Sequence, residues 1–335
     1  VISQVFTTAD VFDALAAEWD GLLDPRRSDN LFSCRDWQRI WWKHLGRGSL
    51  SVVTARDEQG ILRGIGPWFI EEQNGQREVH LIGCADVTDY LDILAQPGHE
   101  KMVYTSLFHF MLSGSAPAWD SFQLCNIPED SPTCLLLPGL ARSHGLTVEI
   151  SLAEVCPVID LPGTYEDYLA GLDKKQRHEL RRKRRRAEAQ PVDWYIVGPE
   201  HDLDREIEAF IDLMALSTPE KAGFLNEPGH AAFFREMGQV LFERGILELM
   251  FLRIESVRTA VMWQFAYRDR MMLYNSGLNP ADLAGLSPGI VLQTYSIEDA
   301  IRRGFKKYDF LRGDEVYKYR MGAHDTRVYN ITIRR

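Results

Sequence analysis

No run in this 335-residue chain stays apolar for the ~20 residues that a membrane-crossing helix needs, so no transmembrane segment is expected. Cysteine is scarce. The five that occur, Cys34, Cys84, Cys125, Cys134 and Cys156, are scattered, odd in number and never spaced as C-x-x-C. That pattern predicts reduced thiols and a cytoplasmic location, and it argues against a disulfide framework or a cysteine-based zinc site. The nine histidines show no metal-ligand spacing, and neither H-E-x-x-H nor G-x-S-x-G is present. No metal centre and no hydrolase triad is therefore expected. Long low-complexity tracts are missing too. The opening VISQVF reads as a strand, without the basic flank and small-residue cleavage site of a signal peptide. What is left is an ordinary folded composition, 45% hydrophobic and 11% aromatic, long enough for two domains that each bury a core.

Positive charge is also in short supply over most of the chain. Of 38 Lys and Arg residues, nine lie within Lys174–Arg186 (KKQRHELRRKRRR), where Glu179 is the one acid. The other 29 stand against 47 acidic residues, so a segment of +8 is set in a remainder of −18. Asp173 can cap this run, its residues favour helix, and Pro191 stops it. Six successive cations, Arg181 to Arg186, turn through ~100° each and cover every side of a helix, so some must face protein or ligand. A solvated helix is the plain reading. A phosphate-bearing partner is the expectation. The net charge of −10 disfavours nonspecific nucleic-acid binding by the whole surface; only the basic run leaves that open.

The chain repeats itself with a period of roughly 190 residues. In the first half an acidic helix (Ala9 to Leu23) precedes a second helix (Asp36 to Leu45) and a hairpin turning at Glu58-Gln59-Gly60. The second half has an acidic helix (Leu203 to Leu216), a helix from His230 to Arg244, and a hairpin turning at Glu255-Ser256. Each copy continues with a strand ending in small or polar residues, a helix opened by Pro-Gly (Pro97-Gly98, Pro288-Gly289), and a further strand. A helix then leads to a closing strand. The meander predicts antiparallel pairs, and the helical crossover predicts one parallel pair in each half. Strands that part after such a crossover leave unpaired backbone and room for a ligand. A duplicated α/β chain with mixed sheets follows, with domains at 1–157 and 158–335.

The second copy is the better equipped for chemistry. Its strand end Tyr274-Asn275-Ser276-Gly277 leads to Ser287-Pro288-Gly289 at a helix start, where free N–H groups and the helix dipole attract phosphate. The stretch YDFLRGDEVYKYRMGAH places Asp309 in an apolar strand, as either a satisfied structural acid or a base with a raised pKa. Lys318, after Tyr317, is either a snorkelling surface residue or a holder of phosphate or carbonyl oxygen. The first copy has Asp86, Asp89, Tyr90 and Asp92 at the corresponding strand end. Acids there repel pyrophosphate; they either receive hydroxyl or amine groups of an acceptor or cap the next helix.

The basic helix, the Y-x-S-G strand end, the S-P-G helix start and D-F-x-x-G-x-x-x-Y-K-x-x-x-G together resemble the GNAT-superfamily acyltransferases of the cellulose-biosynthesis (CelD-like) group, related to Fem-type peptidyltransferases. The resemblance covers nearly the whole chain and implies tandem GNAT-like domains. It implies an acyl-CoA donor held near Ser276, Gly277, Ser287, Pro288 and Gly289. The Fem-type phosphate-binding stretch K-x-R-x-x-[IL]-[KR] falls on Lys175, Arg177, Leu180 and Arg181. The lysine that is important near the carboxyl end of that group corresponds to Lys318, although Tyr317 stands where the group has phenylalanine. Two features depart from the pattern: there is no long insertion for the helical arm of tRNA-dependent Fem enzymes, and the usual pyrophosphate loop is reduced to Ser287-Pro288-Gly289.

The function expected is acyl transfer to an amine or hydroxyl of a polysaccharide or cell-envelope precursor that bears phosphate. Backbone N–H groups near Ser276-Gly277 are expected to stabilise the oxyanion, with Asp309, Tyr274 or Tyr317 managing the proton and Lys318 assisting. Lys175, Arg177 and Arg181 are expected on the substrate phosphates, and Asp89, Tyr90 and Asp92 on the acceptor. A peripheral membrane contact is compatible with this reading. Two alternatives stand beside it: an aminoacyl-tRNA donor, or a degenerate fold kept as a noncatalytic anion-binding module.

Overall fold

Alternating apolar residues and turn chemistry lay out one plan twice in the computed structural model, which describes residues 1–23, 28–84, 87–280 and 284–335. Two units are present, Val1–Val155 together with Thr326–Arg335, and Cys156–Asp325. The first contains β1 (Ile2–Phe6), α1 (Val11–Ala14), α2 (Arg35–Leu45), β2 (Ser49–Arg56), β3 (Leu62–Gln73), β4 (Gln76–Leu81) and β5 (Leu94–Ala95). It continues with α3 (Glu100–Leu112), β6 (Ser121–Pro128), α4 (Pro132–Ser143) and the first part of β7 (Thr147–Asp160). The second contains α5 (Tyr165–Gly171), α6 (Lys174–Glu188), β8 (Val192–Ile196), α7 (Leu203–Ser217), α8 (Pro219–Asn226), α9 (His230–Glu243) and β9 (Leu247–Ile254). Then come β10 (Val257–Tyr267), β11 (Arg270–Leu278), α10 (Pro288–Arg302), β12 (Lys307–Asp309) and α11 (Val316–Arg320), before β13 (His324–Arg334).

The strand orders match. The first unit runs β1-β2-β3-β4-β6-β13, and the second runs β8-β9-β10-β11-β12-β7. In each, four antiparallel strands are followed by one parallel pair, β4 with β6 and β11 with β12, and then by an antiparallel closing strand. The closing strands are exchanged. Strand β13, expected with the second half, pairs with β6 through Val328↔Pro128 to Arg334↔Ser121. Strand β7 pairs with β12 through Asp160↔Lys307. The last ten residues therefore belong to the first unit, whereas the sequence division ran the second domain to residue 335. Each closing strand carries apolar residues suited to a sheet, Cys156 to Ile159 in β7 and Val328, Ile331 and Ile333 in β13, and neither pattern names its partner.

Local chemistry accounts for most boundaries. The tight turn at Glu255-Ser256 has both residues at positive φ (52° and 67°), the twist that a two-residue hairpin demands. Asp173 caps α6 through the N–H groups of Lys175 and Gln176 at 2.8 and 3.0 Å. The acidic helix expected over Ala9–Leu23 is shorter than its pattern, with α1 ending at Ala14 and only a 3-10 turn, Asp20–Leu22, following. Trp68, Trp119 and Phe122 centre the first core, and Met262, Leu292, Ile297 and Tyr308 the second. Each such side chain contributes roughly 1.5–3 kcal/mol by leaving water. Among the described residues no helix is long and apolar enough to cross a membrane.

One expectation fails outright. Cys84 and Cys125 form a disulfide, leaving Cys34, Cys134 and Cys156 free. Forty-one residues apart in sequence, the pair had no recognisable spacing; parallel pairing of β4 with β6 is what brings them together. With it goes the ground for expecting reduced thiols and a cytoplasmic location.

Candidate functional site

The parting of two parallel strands creates the site. Strand β11 pairs with β12 only from Arg270↔Lys307 to Met272↔Asp309. Strand β12 then ends, and positive φ at Leu311 (55°) and Gly313 (109°) carries the chain away. Strand β11 continues to Leu278. Across from it, the register on β10 slips between Trp263 and Gln264, which face Asn275 and Leu273, so that Tyr274 stands at a bulge. Such a bulge bends the strand and re-aims the residues beyond it.

Beyond the bulge lies a cavity of about 380 Å³. Ser276, Gly277, Ser287, Pro288, Gly289 and Tyr317 all line it, so the strand end, the helix start and the late tyrosine meet in one place. Val261 and Met262 of β10 and Leu292 of α10 add apolar wall. Gly277 is required for packing: a Cβ there would stand 2.5 Å from the Met214 nitrogen and 2.6 Å from the Leu213 carbonyl carbon, both backbone atoms of α7. Gly289 is different, since its Cβ would meet only Leu278 Cδ2 at 3.3 Å.

The start of α10 supplies donors. Ser287 precedes the helix in the left-handed region (φ 54°, ψ 56°) and Pro288 occupies the first turn. Proline has no N–H, and the N–H groups of Gly289 and Ile290 fall too early in the helix for an intrahelical acceptor. Cations approach from α6. The Lys183 ammonium donates to Ser287 Oγ at 2.6 Å, and an Arg186 guanidinium nitrogen lies 3.2 Å from where a side chain on Gly285 would begin. Both cations lie in the basic run, but neither is in the K-x-R-x-x-L-R stretch. Lys183 shares its helix face with the buried Leu180 and Ala187, which is the signal that marks it as inward-facing.

The three cations expected on phosphate serve otherwise or lie elsewhere. Arg177 donates to the Leu169 and Ala170 carbonyls at the end of α5. Arg181 pairs with Glu166 at 2.9 Å. Lys175 is exposed in a separate groove on α6. None of the three lines the cavity.

The YDFLRGDEVYK stretch divides in the same way. Asp309 is fully buried; Arg270 reaches it at 2.6 Å and the Leu311 N–H at 2.8 Å. It is absent from the cavity wall and serves as a satisfied structural acid. Lys318 is 2% exposed. Its ammonium donates to the Arg312 and Gly313 carbonyls at 2.7 and 3.0 Å and pairs with Glu315 at 2.8 Å, bracing the turn instead of facing a ligand. Tyr274 packs on Phe265 and Phe234, away from the cavity. Tyr317 does face it. Burial, and then the charge of Glu315, push its phenol above the ordinary value, and its hydroxyl has no hydrogen-bond partner among the described residues.

The expected oxyanion donors are spoken for. The Ser276 N–H donates to Asn275 Oδ1 at 2.9 Å, and the Leu278 N–H to Ser217 Oγ at 2.9 Å. Lys221 of α8 was not anticipated. Its ammonium donates to Asn275 Oδ1 at 3.0 Å and to the Ser276 carbonyl at 2.5 Å, clamping the strand end. Burial pushes its pKa down to about 8, against the opposing charge of Glu315.

The first unit's counterpart gap is filled. Past Val79↔Phe122 the strands β4 and β6 part, and the Cys84–Cys125 disulfide crosses between them. The Asn126 side chain holds the Thr88 carbonyl at 2.9 Å, and the Leu91 N–H donates to the Asn126 carbonyl at 3.0 Å. Asp89, Tyr90 and Asp92 are consequently buried. Asp92 accepts from Ser131 Oγ at 2.7 Å, from Thr133 Oγ1 and from the Ile93 N–H, bracing the start of α4 and not an acceptor. Asp86 lies outside the described residues.

Residues 174–319 match the family model described as an acetyltransferase (GNAT) domain, a span that holds α6 and the whole cavity wall. No curated protein matches the chain. Among solved structures the chain is similar to FemX, at 11% identity over 99% of this chain and 97% of that one, TM-score 0.64. It is similar to L-PGS from Bacillus licheniformis, at 11% identity over 84% and 82%, TM-score 0.52. A tandem GNAT protein from the clavulanic acid biosynthesis pathway is also similar, at 10% identity over 98% of both chains, TM-score 0.50. At such identities the likeness is one of fold: tandem GNAT-like units with mixed sheets, as the sequence led us to expect.

Proposed function

We propose that the second unit transfers an acyl group from an acyl-CoA thioester to an amine or hydroxyl of a polysaccharide or cell-envelope precursor, the chemistry implied by the CelD-like resemblance. One observation carries the donor: an apolar cavity beside the end of β11, past its pairing with β12, with two first-turn N–H groups that lack an intrahelical acceptor and the cations Lys183 and Arg186 at the helix start. A thioester ligand has that same character, an amide-bearing arm ending in phosphates. In this reading the apolar wall beside the end of β11 receives the arm, and the α10 start with Lys183 and Arg186 holds the phosphates. The acceptor attacks the thioester carbonyl carbon, the C–S bond breaks, and the proton that the acceptor nitrogen or oxygen gives up ends on the departing sulfur. Tyr317, its phenol held above the usual range, stays protonated at neutral pH and serves as donor to the carbonyl oxygen or the sulfur, not as base.

The test is a thermal shift with acetyl-CoA, longer acyl-CoAs and free coenzyme A. Ligand at a hundredfold excess over Kd adds about 2.7 kcal/mol of stability, so a true donor registers clearly. Gly289→Ala places a methyl group in the cavity at the first turn of α10, where only the end of the Leu278 side chain must give way, so it should leave the melting temperature nearly unchanged and abolish the ligand shift. A saturable shift that survives Gly289→Ala unchanged would move the donor elsewhere. No shift with any thioester would favour an aminoacyl ester on tRNA, the second reading, which the exposed cations of α6 support, or a noncatalytic anion binder.

A further inference from the structure

Helix α6 uses its cations in two directions. Lys183 and Arg186 approach the turn before α10. On another face, Lys175, His178, Arg182 and Arg185 follow one another at three- and four-residue steps, which sets them in a single stripe. This stripe and Arg320, the last residue of α11, line a groove of about 490 Å³ together with Gln176 and Glu179. All five basic residues are exposed.

The groove is not neutralised from within. Glu179 is its one acid, and it is engaged by Arg182 at 2.8 Å and by Lys183 at 3.7 Å. Arg185 donates to the Arg181 carbonyl at 3.3 Å and has no acidic partner among the described residues. Lys175 and Arg320 have none there either. Four permanent cations against one carboxylate leave a net +3 within a chain of net −10. Like charges at i,i+3 and i,i+4 destabilise a helix by a few tenths of a kcal/mol per pair, so an idle stripe of this kind is costly.

Shape and surroundings select the ligand. Beyond Arg320, α11 is flanked by acids: Asp325 accepts from Tyr319 at 2.8 Å, and Glu315 pairs with Lys318. A compact anion seated in the groove meets one carboxylate of its lining, Glu179, and that one is already engaged by Arg182. A phosphomonoester carries about −1.5 to −2 at pH 7 and leaves the lining unbalanced, whereas adjoining phosphates match it. Arginine forks suit phosphate oxygens bidentately.

We propose that the groove formed by Lys175, His178, Arg182, Arg185 and Arg320 is a binding site for a diphosphate group, separate from the apolar cavity. It does not depend on the acyl-transfer reading, and it is tested with no thioester present. Inorganic diphosphate is titrated calorimetrically into the full chain at low and moderate salt, against inorganic monophosphate. One-to-one saturable binding is expected, at least tenfold tighter for diphosphate. Arg185→Glu with Arg320→Glu should weaken it at least tenfold with an unchanged melting temperature. Lys175→Gln with Arg182→Gln is a second removal should the first variant fold poorly. Arg181→Glu, a charge reversal on the same helix but outside the groove, should change it less than threefold. Competition by a nucleoside diphosphate in solution, and by a lipid-linked diphosphate in phosphatidylcholine vesicles, tells which carrier presents the group. Absence of saturable diphosphate binding overturns the proposal, as does equal loss in Arg181→Glu. So does binding confined to single-stranded oligonucleotides and growing with their length, which would make the groove a nucleic-acid surface.

Discussion

Asp309 is fully buried with the Arg270 guanidinium on one oxygen and the Leu311 N–H on the other. Taking away the arginine removes the guanidinium paired with a fully buried carboxylate, and breaking a buried pair from one side costs about 3–5 kcal/mol. Arg270→Leu should therefore lower unfolding stability by roughly that amount in urea titration, and Asp309→Asn by less. A base would behave in the opposite way: Asp309→Asn would stop turnover and leave the urea midpoint where it was. Lys318 follows the same logic, because its donors are spent on backbone carbonyls and Glu315. The motif that holds these two residues was plain in the sequence, but D-F-x-x-G-x-x-x-Y-K reads the same whether its acid and lysine face a ligand or hold a turn. Only burial separates the two, and burial is decided by strands and helices distant in the chain. Tyr317, one residue away from Lys318, is the member of that motif that reaches the cavity.

Elements were more legible than side-chain roles. The capped basic helix, both hairpins and the strand-to-helix passage into Pro288-Gly289 follow from local signals that nothing distant overrides. The phase of α6 was harder to read, because unbroken cation from Arg181 to Arg186 hides the alternation that normally marks a buried face. Leu180 and Ala187 mark it nonetheless, and they put Lys183 inward. Helix α8 gave no comparable sign of what Lys221 does to β11, since that clamp spans 54 residues of sequence. It has a pH signature. The folded chain releases the Lys221 proton near pH 8, below the usual lysine value of 10.5. Between those pH values the unfolded chain holds more protons, so stability should rise with pH across this window. Below pH 8 both forms are charged, and the folded state bears the full cost of burying the ammonium. The urea midpoint of the native chain relative to Lys221→Met should accordingly climb from pH 7.5 to 10. A flat difference would mean that the ammonium is solvated and the clamp is weak.

At the scale of the whole molecule, duplication produced two gaps between parallel strands, and they have had different fates. The second opens on an apolar cavity at the start of α10, where the first-turn N–H groups lack intrahelical acceptors. The first is crossed by Cys84–Cys125 and by the 87–93 loop, whose Asp92 is turned inward to Ser131 and Thr133. Chemistry should then reside in the second unit, with the disulfide acting on the stability of the first. Closing a loop of 41 residues removes unfolded-state freedom worth about 4 kcal/mol in the chain-entropy account. Two measurements follow from this division. Alkylation of the unreduced, denatured chain should label three thiols, Cys34, Cys134 and Cys156, and reduction should raise the number to five. Reduction, or Cys84→Ser with Cys125→Ser, should bring forward the unfolding of the first unit, seen as earlier amide exchange in β4 and β6. The cavity residues lie between Ala260 and Tyr317, in the other unit, so any thioester thermal shift should survive the loss of the disulfide. If removing the disulfide instead abolishes thioester binding and leaves β4 and β6 protected, the first gap is no mere remnant, and the division of labour between the two copies falls.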